Sequence, residues 1–99
     1  MEDRDIVDLY WQRSDLAISE TNRKYGRYCH AIARNICGSD LDAEECVNDT
    51  WFRAWNLMPD QRPAALSVFL GRITRNFAIN RIRTKNRIKR GGGEAALAL

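Results

Sequence analysis

The chain has 99 residues, of which 16 are Lys or Arg and 13 are Asp or Glu, giving a formal net charge of +3 and a pI near 9.0. This length predicts a single domain with one modest core, and the composition, 44% hydrophobic and 29% charged, excludes collagen-like and widely disordered chains. The sequence has no apolar run long enough to span a membrane and no apolar segment near its acidic N-terminus, which predicts a cytoplasmic protein without a secretory signal or a membrane partner.

Apolar residues recur at helical rather than strand spacing almost throughout the chain. This pattern predicts an all-α fold, a small bundle of three to four helices. The first helix is predicted from Asp3 to about Gln12, with Asp3 as its cap. The second is predicted to begin near Ser14 and to end at about Cys37, where Gly38 follows as the terminating residue.

The third predicted helix, about Asp42 to Leu57, has the most regular apolar stripe in the chain. The stripe advances by alternating steps of three and one residues and consists of Ala43, Cys46, Val47, Thr50, Trp51, Ala54, Trp55 and Met58. Pro59 is expected to end this helix.

The fourth helix is predicted from about Ala65 to Lys89. Its expected buried stripe consists of Leu66, Phe69, Leu70, Ile73 and Phe77. We expect residues 1–90 to form one helical domain and residues 91–99, which open with three glycines, to begin a flexible interdomain linker.

Charge is divided unequally along the chain. Residues 1–60 carry 7 basic and 12 acidic side chains, whereas residues 61–99 carry 9 basic and 1 acidic, which predicts two different partners. On the third helix, the face opposite the tryptophan stripe consists of Asp42, Glu45, Asn48, Asp49, Phe52 and Asn56. Such a face is commonly only solvated, but an aromatic residue within it, Phe52, is typical of a protein contact.

The fourth helix carries basic residues that no acidic residue relieves from Gly71 to Arg90. One face consists of Arg72, Arg75, Asn76, Ile79, Arg83 and Arg87, and a second line of Arg81, Lys85 and Lys89. Like charges one helical turn apart destabilise a helix, and the phosphates of a nucleic acid would relieve them. The pattern therefore favours nucleic-acid binding, with Asn76 and Asn80 able to read bases. An acidic membrane surface fits less well, because the basic face lacks a free apolar counter-face.

Residues that commonly carry catalysis or bind metals are sparse. The chain has three cysteines without the CxxC spacing: Cys29, Cys37 and Cys46. This pattern predicts reduced thiols rather than a disulfide framework or a zinc site. The single histidine, His30, has no nucleophile at a recognisable spacing, and glycines 91–93 lack the flanking elements of a phosphate-binding loop. We therefore expect no catalytic residue, no metal site and no cofactor, in a chain that is not an enzyme.

Two stretches of the sequence resemble those of a known family. Residues 42–55, DAEECVNDTWFRAW, resemble the DAEDxxQxTFxxAW stretch of bacterial sigma factors. Residues 69–83, FLGRITRNFAINRIR, are similar to the WLxxIARNxxxDxxR stretch that follows it in the same proteins. Together, over about residues 5–90, the chain resembles region 2 of the sigma-70 family, of the extracytoplasmic-function type.

The resemblance implies a transcription initiation factor domain with two binding surfaces. The surface implied to bind RNA polymerase core, at the clamp coiled coil of its β′ subunit, consists of Asp42, Glu45, Asn48, Asp49 and Phe52. The surface implied to recognise and melt the promoter −10 element consists of Arg72, Arg75, Asn76, Asn80, Arg83, Arg87, Asn56 and Arg62. Residues 56–63 would hold a flipped base of the single-stranded non-template strand, and an anti-sigma factor is a further candidate partner.

The sequence departs from the family pattern at three motif positions. Asn48, Phe69 and Asn80 stand where Gln, Trp and Asp are common. Nothing in the sequence resembles region 4 of such factors, so we expect these residues to be one domain of a longer factor. Two other interpretations stay open: a protein-interaction adaptor whose basic helix binds an acidic protein, and a general RNA-binding helical domain.

Overall fold

Four helices make up most of the described chain in a computed structural model. The structure describes the backbone of residues 1–58 and 60–98, and the side chains of residues 1–58 and 60–88. The helices are α1 (Asp3–Trp11), α2 (Leu16–Cys37), α3 (Asp40–Leu57) and α4 (Leu66–Ala98), and these described residues contain no strand. The predicted all-α bundle is therefore confirmed. None of these helices is both long enough and apolar enough to cross a membrane.

Local capping groups set where α2 and α3 begin and end. The Ser39 hydroxyl oxygen accepts a hydrogen bond from the backbone N–H of Asp42 at 3.3 Å and caps α3. Gly38 follows α2 in the left-handed conformation, with φ of 72°, which glycine adopts without steric cost. Ser14, predicted to begin α2, accepts a hydrogen bond from the backbone N–H of Leu16 at 3.2 Å, where the helix starts.

The predicted cap of α1 is wrong. Glu2 occupies the position before the helix, and Asp3 is its first helical residue. The carboxylate of Asp3 accepts a hydrogen bond from the Tyr25 hydroxyl at 2.8 Å and pairs with the Lys24 ammonium at 2.7 Å. Because two groups of α2 engage this carboxylate, it ties α1 to α2 instead of capping its own helix.

The core changes from large to small side chains along the bundle. Where α1 packs against the other helices, the buried large residues are Ile6, Tyr10, Trp51, Met58, Leu66 and Leu70. Towards the other end, a second cluster of small residues, Ala33, Ala43, Cys46 and Ala78, brings α2, α3 and α4 close together. The predicted stripe of α3 is confirmed, because each member is buried except Trp55, which is half-buried.

The buried line of α4 differs from the predicted one. It advances one turn at a time and consists of Leu66, Leu70, Thr74 and Ala78, each no more than 1% exposed. The three residues predicted to share this line, Phe69, Ile73 and Phe77, are only half-buried. Thr74 and Ala78 allow the helix backbones to approach closely, and a search for large apolar residues does not detect positions of this kind.

A buried pair of threonines joins α3 to α4. The hydroxyl oxygens of Thr50 and Thr74 lie 2.9 Å apart. Each also lies within hydrogen-bond distance of the carbonyl four residues earlier in its own helix, at 2.7 Å for Thr50 and 3.0 Å for Thr74. Because a hydroxyl has one proton, one threonine donates to its own helix while the other donates across the interface.

The backbone of α4 continues to Ala98, beyond the predicted end at Lys89 and through glycines 91–93. Each glycine costs a helix about 1 kcal/mol relative to alanine, and the alanine-rich segment that follows favours the helix. The predicted stop of α3 at Pro59 falls outside the described residues, as does the last residue of the predicted linker. That residues 91–99 begin an interdomain linker stays a prediction.

Removing one hydroxyl of the threonine pair tests this contact between helices. Thr50→Val and Thr74→Val should each lower the free energy of unfolding by about 1 kcal/mol, since each keeps the shape but loses the shared hydrogen bond. The double variant should lose less than the sum, because that bond is lost only once. Urea denaturation of the wild type, the two single variants and the double variant measures these energies, and strictly additive losses would show that the two hydroxyls share no hydrogen bond.

Candidate nucleic-acid and protein interfaces

The buried line of α4 determines which of its side chains face solvent. Arg72, Asn76 and Arg83 are exposed on the side opposite that line. Arg75 borders a depression shared with α2, and Asn80 borders a groove shared with α3. The structure therefore brings most of the predicted DNA-binding residues together on one side of α4, and Arg87 is exposed further along the same helix.

Four arginines of this side have no acidic partner among the side chains that the structure describes. Among residues 1–58 and 60–88, no carboxylate lies within 4.0 Å of the guanidinium groups of Arg72, Arg75, Arg83 or Arg87. Guanidinium groups bind phosphate oxygens through paired, charge-assisted hydrogen bonds. We refer to Arg72, Arg75, Arg83 and Arg87 as the basic face of α4.

A groove of about 460 Å³ lies between α3 and α4, close to the start of α4. Its apolar lining consists of Leu57, Phe69, Ile73 and Phe77. Its polar lining consists of Arg53, Gln61, Arg72, Asn76 and Asn80. Sites that bind small planar groups have this size and this mixture of apolar surface with a few hydrogen-bonding side chains. We call it the α3–α4 groove.

Two members of the second basic line of α4, Arg81 and Lys85, are paired within the molecule, and the third, Lys89, lies outside the residues whose side chains the structure describes. Arg81 donates to Asp42 at 3.0 Å and to Glu45 at 2.6 Å, and Lys85 also pairs with the Asp42 carboxylate. The prediction that no acidic residue relieves these cations is wrong, because the acidic partners come from α3 rather than from α4 itself. We call these four side chains the ion-pair cluster.

Asp42, predicted to lie on an exposed acidic face, is buried, with 7% of its surface exposed. Hydrogen bonds from Lys85 and Arg81 hold the pKa of its carboxyl below the ordinary value of 3.8. The hydrogen bond to Asp42 likewise raises the pKa of Arg81. Asp42 therefore lies on the α4 side of α3, and its carboxylate is already occupied within the molecule.

The rest of the predicted polymerase-binding set remains on the surface. Asn48, Asp49 and Phe52 are exposed, and Phe52 exposes 68% of its surface. Leu41 is equally exposed, and it shares a helix face with Phe52 because the two are eleven residues, or about 16 Å, apart along α3. Sequence reasoning missed Leu41 because the helix was predicted to begin at about Asp42, whereas it begins at Asp40.

Two residues assigned to DNA binding lie apart from the basic face. Asn56 is exposed one turn after Phe52, on the same face of α3. The Arg62 guanidinium pairs with the Asp8 carboxylate of α1 at 2.5 Å and lies over the Trp11 ring, 5.3 Å from its centroid. The structure thus groups Asn56 with the exposed apolar residues of α3, and Arg62 with α1.

Contacts of α1 with the end of α3 and the following segment were not predicted. The indole N–H of Trp11 donates to the backbone oxygen of Gln61 at 3.0 Å. Arg13 stacks on the Trp55 ring at 3.7 Å and donates to the Trp55 backbone oxygen at 2.7 Å. These pairs are 50 and 42 residues apart in the chain, and no sequence pattern signals contacts of that range.

The cysteines are free thiols, with Cys29 and Cys46 buried and Cys37 half-buried. Burial raises the pKa of Cys29 and, together with the neighbouring Cys37, raises that of Cys46 to about 11. Both thiols are protonated at neutral pH, and thiols in that state are poor nucleophiles and poor metal ligands. Within the part of the chain that the structure describes, no group of three or more His, Cys, Asp or Glu side chains is placed to hold a metal ion.

Comparison with known families finds one match. A family model described as Sigma-70 region 2 matches residues 22–88, which include most of α2, all of α3 and the basic face of α4. Comparison with curated proteins and with solved structures gives no match. The matched range contains both surfaces described above, whereas α1 lies outside it.

The ion-pair cluster makes a prediction about stability. Asp42→Asn should lower the unfolding temperature at neutral pH, because it removes the negative charge that faces Arg81 and Lys85 at nearly constant volume. Glu44→Gln, which removes the same charge from an exposed position of α3, is the matched control and should change the temperature little.

The stability difference between the wild type and Asp42→Asn should depend on pH. Because the native pKa of Asp42 lies below its unfolded value, its stabilisation is fully present above pH 3.8 and is lost as the pH falls through the native pKa. Thermal melts of the wild type and Asp42→Asn should therefore differ at neutral pH and converge in strong acid. A gap of constant size throughout this range would contradict the assignment.

Proposed function

The chain belongs to the sigma-70 region 2 family, and from this membership we propose how its surfaces divide the work of transcription initiation. The exposed face of α3 around Phe52 binds RNA polymerase core, at the clamp coiled coil of the β′ subunit. The basic face of α4 and the α3–α4 groove bind the single-stranded −10 element of a promoter. The domain is of the extracytoplasmic-function type and acts in the cytoplasm as a binding module rather than as an enzyme.

The observation that carries the proposal is the unbalanced charge beside the α3–α4 groove. Arg81 and Lys85 have acidic partners in the molecule, whereas the basic face of α4 has none among the described residues. Nucleic-acid phosphates would supply the missing negative charge, with release of counterions as the driving term.

The groove itself supplies groups that recognise a base. Phe69 and Phe77 offer aromatic surfaces on which an unpaired base can stack. Asn76 and Asn80 offer amide donors and acceptors to the edge of that base. An arrangement of phosphate-binding arginines next to such a groove favours single-stranded over fully paired DNA, since stacked bases in a duplex cannot enter it.

The protein-binding half of the proposal depends on apolar exposure. Phe52 and Leu41 are each 68% exposed on one face of α3, with the polar side chain of Asn48 between them. Large exposed aromatic residues with a polar surround are the usual anchors of protein interfaces. Asp49 adds a negative charge at the side of this face.

The DNA-binding half is tested by Arg75→Glu combined with Asn76→Ala. Affinity for single-stranded −10 DNA should fall about tenfold or more, because a phosphate contact and a base contact are lost. Fluorescence anisotropy at several salt concentrations measures this, and the wild-type log–log slope should be about −0.7 per phosphate contacted. Binding to polymerase core should be unchanged.

The matched control is Arg27→Glu with Asn35→Ala, which makes the same substitutions at exposed positions of α2. It should keep DNA affinity close to that of the wild type. Equal losses for both doubles, or an equal loss of polymerase binding, would contradict the assignment of α4. Equal affinity for RNA and DNA of one sequence would favour the general RNA-binding alternative.

The polymerase-binding half is tested by Asp49→Lys combined with Phe52→Ala. Affinity for polymerase core should fall more than tenfold, because an aromatic anchor and a charge are lost, while single-stranded DNA binding should persist. Asp15→Lys with Leu16→Ala, also at exposed positions, is the control. Retention of full core affinity in the Phe52 variant would rule out this face as the interface.

A further inference from the structure

The segment that leads into α4, residues 60–65, is fastened to α1 by side chains of one helix face. Trp11 donates its indole N–H to the backbone oxygen of Gln61 at 3.0 Å. Asp8, one turn earlier, accepts a hydrogen bond from the Arg62 guanidinium at 2.5 Å. The same guanidinium lies over the Trp11 ring. Two consecutive residues of the segment are therefore held by two residues of α1.

A second attachment joins the turn that follows α1 to the last turns of α3. Arg13 stacks on the Trp55 ring and donates to its backbone oxygen. The backbone of Arg13 is left-handed, with φ of 57°, a conformation that costs energy for a residue with a side chain. The stacking and the hydrogen bond offset that cost, so the turn that directly follows α1 is attached to the end of α3.

These attachments bear directly on the α3–α4 groove. Gln61 lines the groove together with Asn76 and Asn80. Its backbone oxygen is the atom that Trp11 binds, so movement of Trp11 moves one wall of the groove relative to α4. The wall is therefore held by a helix that lies outside the range matched by the family model.

We propose that α1 positions residues 60–65 for recognition of a base in the α3–α4 groove, with Asp8 and Trp11 as positioning residues. Arg62 serves as the partner of Asp8 in this attachment rather than as a phosphate contact. The inference depends on the proposed function, because it assigns to α1 a role in that same groove. It is a local role, since an exposed ion pair contributes little to global stability.

Removal of the Asp8 carboxylate distinguishes this inference from a purely electrostatic effect on DNA binding. Removing a carboxylate should strengthen DNA binding slightly if only charge matters, because the chain becomes more positive. If Asp8 positions the groove wall, removing its carboxylate should instead weaken recognition of a base. For one substitution, the electrostatic account therefore predicts tighter binding to any single-stranded DNA with unchanged selectivity, whereas the positioning account predicts reduced selectivity.

The experiment compares Asp8→Ala with Asp5→Ala, which removes an equal charge from an exposed position of the same helix. Two probes are used: a short single-stranded DNA selected from a random library for tight binding to the wild-type chain, and oligo-dT of equal length. The measured quantity is the ratio of the two affinities by anisotropy. Asp8→Ala should reduce this ratio about two- to five-fold, the range expected for one exposed ion pair, and Asp5→Ala should not.

A charge exchange provides the second measurement. Asp8→Arg and Arg62→Asp should each reduce the ratio, and the double variant should restore it, since the pair is rebuilt in reverse. Trp11→Phe keeps the ring under Arg62 but removes the donor to Gln61, and should reduce the ratio as well. Circular dichroism melts check that each variant folds, and core polymerase binding should be unchanged in all of them.

The outcomes distinguish failure of the proposed function from failure of the role assigned to α1. If the wild-type chain binds both probes equally, the proposed function is wrong and the role of α1 falls with it. If the wild type is selective but Asp8→Ala matches Asp5→Ala, the role of α1 is overturned and the proposed function stands. If the double variant with exchanged charges binds both DNA probes weakly and shows a smaller salt slope than the wild type, Arg62 is a phosphate contact and the inference is again overturned.

Discussion

The close packing of α4 against α3 through small side chains is the constraint on which the rest of the structure depends. Thr74 meets Thr50, and Ala78 lies in the cluster that contains Cys46. Successive side chains leave a helix at fixed angles to one another. Burial of the line that contains Thr74 and Ala78 therefore determines where all the other side chains of α4 point. It directs Arg81 and Lys85 towards α3, and it leaves the basic face of α4 towards solvent.

The ion-pair cluster follows from this geometry and changes how the charge of the chain is understood. A carboxylate that is buried against a neighbouring helix is stable only when charged or hydrogen-bonding groups surround it. Asp42 meets that condition with two cations of α4. The six basic residues of α4 whose side chains are described therefore do not form one uniform surface. Arg81 and Lys85 join α4 to α3, whereas the four arginines of the basic face are exposed.

Sequence reasoning predicted what depends on local chemistry and on periodicity. The helix order, the stripe of α3, the stop at Gly38 and the exposure of Phe52 all follow from spacing or from residue type. It did not predict which helix supplies a partner. The ion pair that buries Asp42 and the hydrogen bond from Trp11 to Gln61 both join residues far apart in the chain. A helical period shows which residues share a face of a helix, but it does not show which other helix packs against that face.

The placement of α1 shows how a short helix serves core and site together. Its inner face is core: Ile6 and Tyr10 are fully buried, and the Tyr10 hydroxyl lies 2.7 Å from that of Thr21 in α2. Its outer face carries Asp8 and Trp11, one turn apart, against residues 60–65. A connecting segment has few buried groups of its own to order it, so its position is set by what it touches. Because the inner face of α1 is fixed in the core, the outer face holds one wall of the α3–α4 groove in a defined place.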